Sequence, residues 1–193
     1  MIRCDLIETR YSRPRRLRFS VDDYKMIEMG IIEDYERSEI IDGEMVPKKT
    51  LGHRHAAVVN LLNRILATAL PESVLLRVRN PIRISDFDEP EPDFVLADLS
   101  KYDGKRHPTP SETILVIEVS DTSLKQERDK KLRMHAEAGI AEVWIVNLLH
   151  NVVEVHRNPA LDLYQEVKIF RQGETVESFV LPKLSFHVDS IIS

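Results

Sequence analysis

Hydrophobic and polar positions follow two periods along this chain, and the change from one to the other marks out its elements. Ala57, Leu61, Leu62, Ile65, Leu66 and Ala69 recur at helical spacing, which predicts a helix from about His53 to Leu70, stopped by Pro71. A short helix over Val21 to Met29 is predicted in front of it, with Ser20 as N-cap, Asp23 in the capping-box position and Gly30 as the stop. Between them, Glu39-Ile-Ile-Asp-Gly-Glu-Met-Val46 reads as two short strands around an Asp42-Gly43 turn.

After Pro71 the pattern is that of strands. Val74 to Val78, a segment near Ile82 to Ile84 and Asp93-Phe-Val-Leu-Ala97 are the first three, and an acidic turn over Asp86 to Glu91 precedes the last. A polar loop spans residues 98 to 112. Ile114-Leu-Val-Ile-Glu-Val119 is apolar at successive positions, which predicts a strand buried on both faces, interrupted only by Glu118. A charged helix follows over about Leu124 to Ala138 and ends at Gly139. Val143 to Leu148 and Val152 to His156 pair across His150-Asn151, and residues 163 to 193 read as shorter strands around Gly173 with a hydrophobic tail. This order predicts an α+β (α/β-type) domain, a mixed sheet flanked by helices with an extra N-terminal helix and hairpin.

Composition narrows the class. The chain has 193 residues, 42% hydrophobic and 31% charged, which suits one globular domain over residues 20–193. No apolar run approaches the length a membrane helix needs. The first residues lack an apolar core and a small-residue cleavage site, so no secretory signal is expected. One cysteine, Cys4, excludes an internal disulfide framework and a thiolate zinc knuckle, and a reducing cytoplasm is the expected location. The net charge of -5 argues against a protein coated in nucleic acid but allows an enzyme that holds magnesium through carboxylates. Arg3, Arg10, Arg13, Arg15, Arg16 and Arg18 crowd a basic arm over residues 1–19. That arm reads either as a solvated tail or as a phosphate-contacting one.

Two acids stand out. A charged carboxylate in a run of Ile and Val costs several kcal/mol, on the order of ~3 or more, unless a cation, a hydrogen-bond cage or solvent compensates it. Glu118 is in that position, and Asp93 opens an apolar strand after Pro92. Two such acids at neighbouring strand ends make a hard-oxygen site for Mg2+ or Mn2+, completed by water and a main-chain carbonyl, that of Val119. Bound there, the ion would polarise a phosphoryl oxygen and help generate hydroxide. On the following helix Glu127, Lys131 and His135 share one face. They form either a surface ladder of charges or a face that turns Lys131 toward the acids. His53 and His55 read as a capping or exposed pair at a helix start, or as a phosphoesterase pair in their own right.

Taken together, Pro92-Asp93, I-L-V-I-E-V-S-D-T-S-L, E-R-D-K-K and H-A-E-A-G-I-A-E-V-W-I-V resemble the Uma-two family of bacterial proteins, assigned to the restriction-endonuclease-like, PD-(D/E)XK superfamily. E-I-I-D-G-E-M-V and G-H-R-H are similar to the front half of that family, so the likeness spans about residues 20 to 190. It implies a restriction-endonuclease-like sheet core, a divalent metal, cleavage of phosphodiester bonds in DNA and a homodimer. It carries over Asp93 and Glu118 as the metal pair. The superfamily's usual lysine position is Ser120 here, and the family's lysine on the following helix is matched by Lys131 rather than Lys125 or Lys130. Glu39 or Glu44 in the hairpin, Glu127 and His55 are accessory candidates. The family commonly has aspartate at Glu127, tyrosine at His135 and P-E-Y-W at Ala141-Glu-Val-Trp144. The expectation is a metal-dependent endonuclease; the alternative is a catalytically silent nuclease-fold binding or assembly module.

Overall fold

The structure is a computed structural model, and it describes residues 18–26, 38–48, 52–121 and 125–192. The basic arm up to Leu17 and the Gly30 stop fall outside those residues. The short helix α1 runs over Val21–Met26. Its capping box is formed: the Ser20 amide donates to Asp23 Oδ2 at 2.8 Å and the Asp23 amide to Ser20 Oγ at 3.1 Å. Strands β1 (Ser38–Ile41) and β2 (Glu44–Pro47) make the expected hairpin. Asp42 and Gly43 both turn through positive φ, 56° and 69°, the geometry that favours an Asp-Gly pair in a two-residue hairpin loop.

Helix α2 spans His53–Ala69. It is followed by β3 (Val74–Val78), β4 (Phe94–Asp98) and β5 (Thr113–Ser120), then helix α3 (Lys125–Glu137) and strands β6 (Glu142–Asn147), β7 (Val152–Ala160) and β8 (Leu163–Phe170). β9 (Thr175–Glu177) and β10 (Ser185–His187) pair near the C-terminus. The main sheet has six strands in the order β3-β4-β5-β6-β7-β8. Every pairing in it is antiparallel except β5 with β6, the pair that α3 connects.

The period of two along the strands sorts the core into layers. Phe94, Leu96, Leu115, Ile117 and Trp144 meet Val58, Leu62 and Leu66 of α2 and the residues around β10 on one face. Val95, Val116, Val143 and Ile145 face the other way, against Ile82, Ile140 and Leu132 of α3. Glu118 lies between Ile117 and Val119 and therefore projects from the α3 face. Burying a Leu or Phe side chain contributes about 2 kcal/mol, so the α2 layer alone accounts for much of the sheet's hold on that helix.

Two expectations change. No strand forms at Ile82 to Ile84. Pro81 has no amide to give a ladder, and the three amides that follow donate to Pro90, Pro108 and Asp88 in turn, which are not consecutive residues of one neighbour. The region after residue 151 is built from longer strands than its sequence suggests, because β7 and β8 extend their pairing to Ala160 and Leu163.

Glu142 ties the C-terminal segment to the sheet. It is fully buried at the start of β6. Its Oε2 accepts the Phe179 and Val180 amides at 2.8 and 3.1 Å, and its Oε1 accepts Trp144 Nε1 at 2.5 Å. Glu142→Ala strands three donors away from water, so urea denaturation should show a loss of roughly 3 kcal/mol. A loss within the error of the measurement would mean that this clamp does not hold the tail.

Candidate active site

The register of the sheet brings the two acids together. Phe94 pairs with Ile117, so one step further along the same antiparallel ladder Asp93 stands opposite Glu118. The Val119 amide leaves β5 on that side and donates to Asp93 Oδ2 at 2.8 Å. Its carbonyl leaves the strand on the same side as its amide. The third partner of Asp93 comes from α2: His55 Nε2 lies 3.1 Å from the same Oδ2. Burial works against a charged His55 ring, but the hydrogen bond and charge of Asp93 outweigh it, and the pKa of His55 is raised.

Lys131 comes in from α3 above the acids. Its Nζ is 3.5 Å from Glu118 Oε1 and 2.9 and 3.1 Å from the two oxygens of Glu39 on β1. Burial disfavours the ammonium, yet Glu118 and Glu39 more than offset this and its pKa is raised. Glu39 is fixed in turn by the Glu91 amide, which donates to its Oε2 at 3.1 Å. Glu118 Oε1 is buried with no hydrogen-bond partner. Burial pushes this carboxyl up, Lys131 draws it down, and Asp93 and Glu39 push it up again, leaving it at about 7.

These groups line one cavity of about 370 Å³ under the β1–β2 hairpin and α3. Asp93, Glu118, Lys131, Glu39 and His55 all reach it, and so do Val119 and Ser120. Lys131 and His135 are not part of a surface ladder. His135 is fully buried in the cavity wall, one turn beyond Lys131. Burial and the nearby ammonium lower its pKa to about 3, and neither ring nitrogen has a hydrogen-bond partner. The side chain of Glu127 lies outside the described residues. Glu44 is not among the residues that line the cavity. The two histidines separate: His55 is buried at Asp93, whereas His53 is exposed and outside the cavity. Residues two apart on a helix do not share a face, so the pair does not form a site of its own.

Sequence reasoning missed Glu91 and Arg79, which both line the cavity. Glu91 is buried in an ion pair with Lys48. The signal was the period of two in Glu89-Pro-Glu-Pro-Asp93, which puts Glu91 on the same side of an extended segment as Asp93. Arg79 could have been found by setting Val74–Val78 against the next strand as antiparallel neighbours, since Val78 pairs with Phe94. Among the described residues no three His, Cys, Asp or Glu side chains gather closely enough to cage a metal ion. The donor set that the site offers is the facing acid pair with Val119, and the orphaned Glu118 oxygen is suited to a cation.

The sheet of this order thus sets a facing acid pair and a lysine in one cavity. The chain belongs to the Uma2 family, described as putative restriction endonucleases, whose model matches residues 21–189. The fold is similar to the crystal structure of a putative nuclease belonging to DUF820 from Anabaena variabilis ATCC 29413, with a TM-score of 0.69, 17% identity, and coverage of 90% of this chain and 97% of that one. No curated protein matches the chain. Among the described residues no helix is long and apolar enough to cross a membrane.

The raised pKa of Glu118 sets a direction for stability. Between its ordinary value near 4.5 and about 7, the folded chain holds a proton that the unfolded chain releases. Stability from this group therefore falls as pH rises through that window. In metal-free buffer, Glu118→Gln should match the wild type near pH 4 and melt at a higher temperature than it at pH 8. A variant that melts lower at pH 8 would show that the ionised Glu118 stabilises the fold.

Proposed function

We propose that this chain is a metal-dependent endonuclease that hydrolyses phosphodiester bonds in DNA. The observation that carries this reading is the convergence of Asp93, Glu118 and Lys131 in one cavity, with a buried Glu118 oxygen that has no hydrogen-bond partner. Asp93, Glu118 and the Val119 carbonyl are the groups that would hold Mg2+ or Mn2+. Magnesium keeps several waters, so two carboxylates and a carbonyl suffice without a protein cage. When bound, the ion supplies Lewis-acid activation of the phosphoryl group and of water.

The chain's own residues supply the rest. Lys131 places a fixed positive charge beside Glu118, where it can stabilise the charge that builds on a phosphate under attack. Glu39 holds that ammonium in position through both its oxygens. His55 and the Val119 amide fix Asp93 through Oδ2. Ile41, Val46, Leu132 and Ile145 line the same cavity and lower the polarity around these charges, which strengthens their interactions.

A second reading is a catalytically silent nuclease-fold module, favoured by the net charge of -5 and by a fully buried His135 with neither ring nitrogen hydrogen-bonded. One set of measurements separates the two. Wild type should cut DNA with magnesium or manganese, and Asp93→Ala and Lys131→Ala should each be slower by about a hundredfold or more. The same ions should raise the melting temperature of the wild type but not of Asp93→Ala. Equal cleavage by all three proteins would sink the nuclease reading, and the absence of any metal-dependent shift would favour the silent module.

A further inference from the structure

The cavity holds a cation that the reading so far leaves unused. Arg79 follows β3 directly and lines the same cavity as Asp93 and Glu118. Val78 pairs with Phe94, so the next pair in that ladder sets Arg79 opposite Asp93, and the Arg79 amide donates to the Asp93 carbonyl at 2.9 Å. Arg79, Asp93 and Glu118 thus form one row across three adjacent strands.

The other lysines and arginines of the cavity wall are mostly spoken for. Lys131 pairs with Glu39 and Glu118, Lys48 with Glu91, and Arg128 with Glu154. Among the described residues no hydrogen bond or ion pair holds the Arg79 guanidinium, although its charge acts on His55 to lower that ring's pKa. A half-buried guanidinium without an acid, in a cavity rich in acids, is a planar donor fork open to a ligand.

The backbone supplies an independent sign. Arg79 has φ 51°, in the left-handed region where a side chain with a Cβ is strained. The reason that the turn falls here is local: Asn80 precedes Pro81, and a residue before proline is restricted to extended conformations. If only the turn mattered, glycine would serve at this position without strain. At Arg79 the strained backbone carries a side chain that lines the cavity.

We propose that Arg79 is the phosphate-binding residue of the cleft, its guanidinium taking the non-bridging oxygens of a nucleic-acid phosphodiester beside Asp93. The assignment rests on the nuclease reading for its ligand. It gives the acidic floor the second fixed positive charge, besides Lys131, that a phosphodiester anion needs in order to approach two carboxylates. Because Arg79 projects from the end of the edge strand, it also fixes the side of the cavity on which the nucleic-acid backbone lies.

Arg79→Gly is the informative variant, because it removes the guanidinium and relieves the strained φ together. It should melt no lower than the wild type, while its KM for cleavage of a short DNA oligonucleotide rises roughly tenfold. Arg79→Lys, which keeps the charge and loses the fork, should recover part of that. Placed in a Glu118→Gln background, Arg79→Gly should also weaken oligonucleotide binding and lower the slope of log affinity against log salt by about one. If the wild type cuts DNA and Arg79→Gly does so with the same KM and salt slope, the assignment is overturned and the nuclease reading stands. If nothing is cut but binding depends on Arg79, the nuclease reading falls and Arg79 keeps its phosphate. If the wild type neither cuts nor binds the oligonucleotide, both fall.

Discussion

Glu118 puts a carboxylate into β5 between Ile117 and Val119, and the groups around the cavity answer that one charge. Lys131 is brought in by α3, the helix that links the parallel pair β5 and β6, and Glu39 is brought in by the hairpin. The network therefore joins the hairpin, β5 and α3. Removing the shared ammonium leaves Glu39 and Glu118 uncompensated, at a cost of about 3–5 kcal/mol. Lys131 thus matches charge between the hairpin and the sheet, while Leu132 of the same helix packs against the layer of Val95, Val116 and Ile145.

The parts of this arrangement that follow local rules could be read from the sequence. Period and punctuation located α2, the hairpin and the strand that carries Glu118, because each depends on its own residues: Pro71 as a stop, Asp42-Gly43 as a turn, and an unbroken run of branched side chains. The acid pair was legible as two misplaced charges, and its alignment in the register explains why both were misplaced. What the sequence hid depends on where distant segments meet. Glu39 was one of two hairpin acids, and only the packing of β1 against the cavity distinguishes it from Glu44. His55 looked like half of an H-x-H pair until burial separated it from His53. The segment at Ile82 to Ile84 has the composition of a strand, but Pro81 and three scattered carbonyl acceptors make it a connector. Glu91 left a trace in the period of two up to Asp93, whereas Arg79 needs the pairing of β3 with β4 to be set beside Asp93.

The cavity also shows where stability is set against chemistry. Glu118 at a pKa of about 7 is a carboxyl whose ionised form the fold disfavours, even with an ammonium 3.5 Å away. A glutamine there would be easier to bury. His135, with neither ring nitrogen satisfied, sits at the same depth and is kept neutral by burial and by Lys131. Arg79 accepts a backbone conformation that glycine would adopt freely. Three departures from what folding alone favours, all lining one cavity, mark it as the region of the molecule shaped by something other than packing.

The distribution of partners within the ion network fits that view. Lys131 is nearer to Glu39, at 2.9 and 3.1 Å, than to Glu118, at 3.5 Å. Glu39 is the anchor and Glu118 the looser neighbour, so neutralising Glu118 leaves the ammonium in place. Asp93 is fastened through one oxygen, Oδ2, by a histidine and a main-chain amide, neither of which depends on Glu118. Asp93 and Lys131 are thus held from outside the triad, while the ion-pair partner of Glu118 is Lys131. Glu118 can therefore change charge while Asp93 and the ammonium keep their own partners, which is what the proposed reaction would ask of the site.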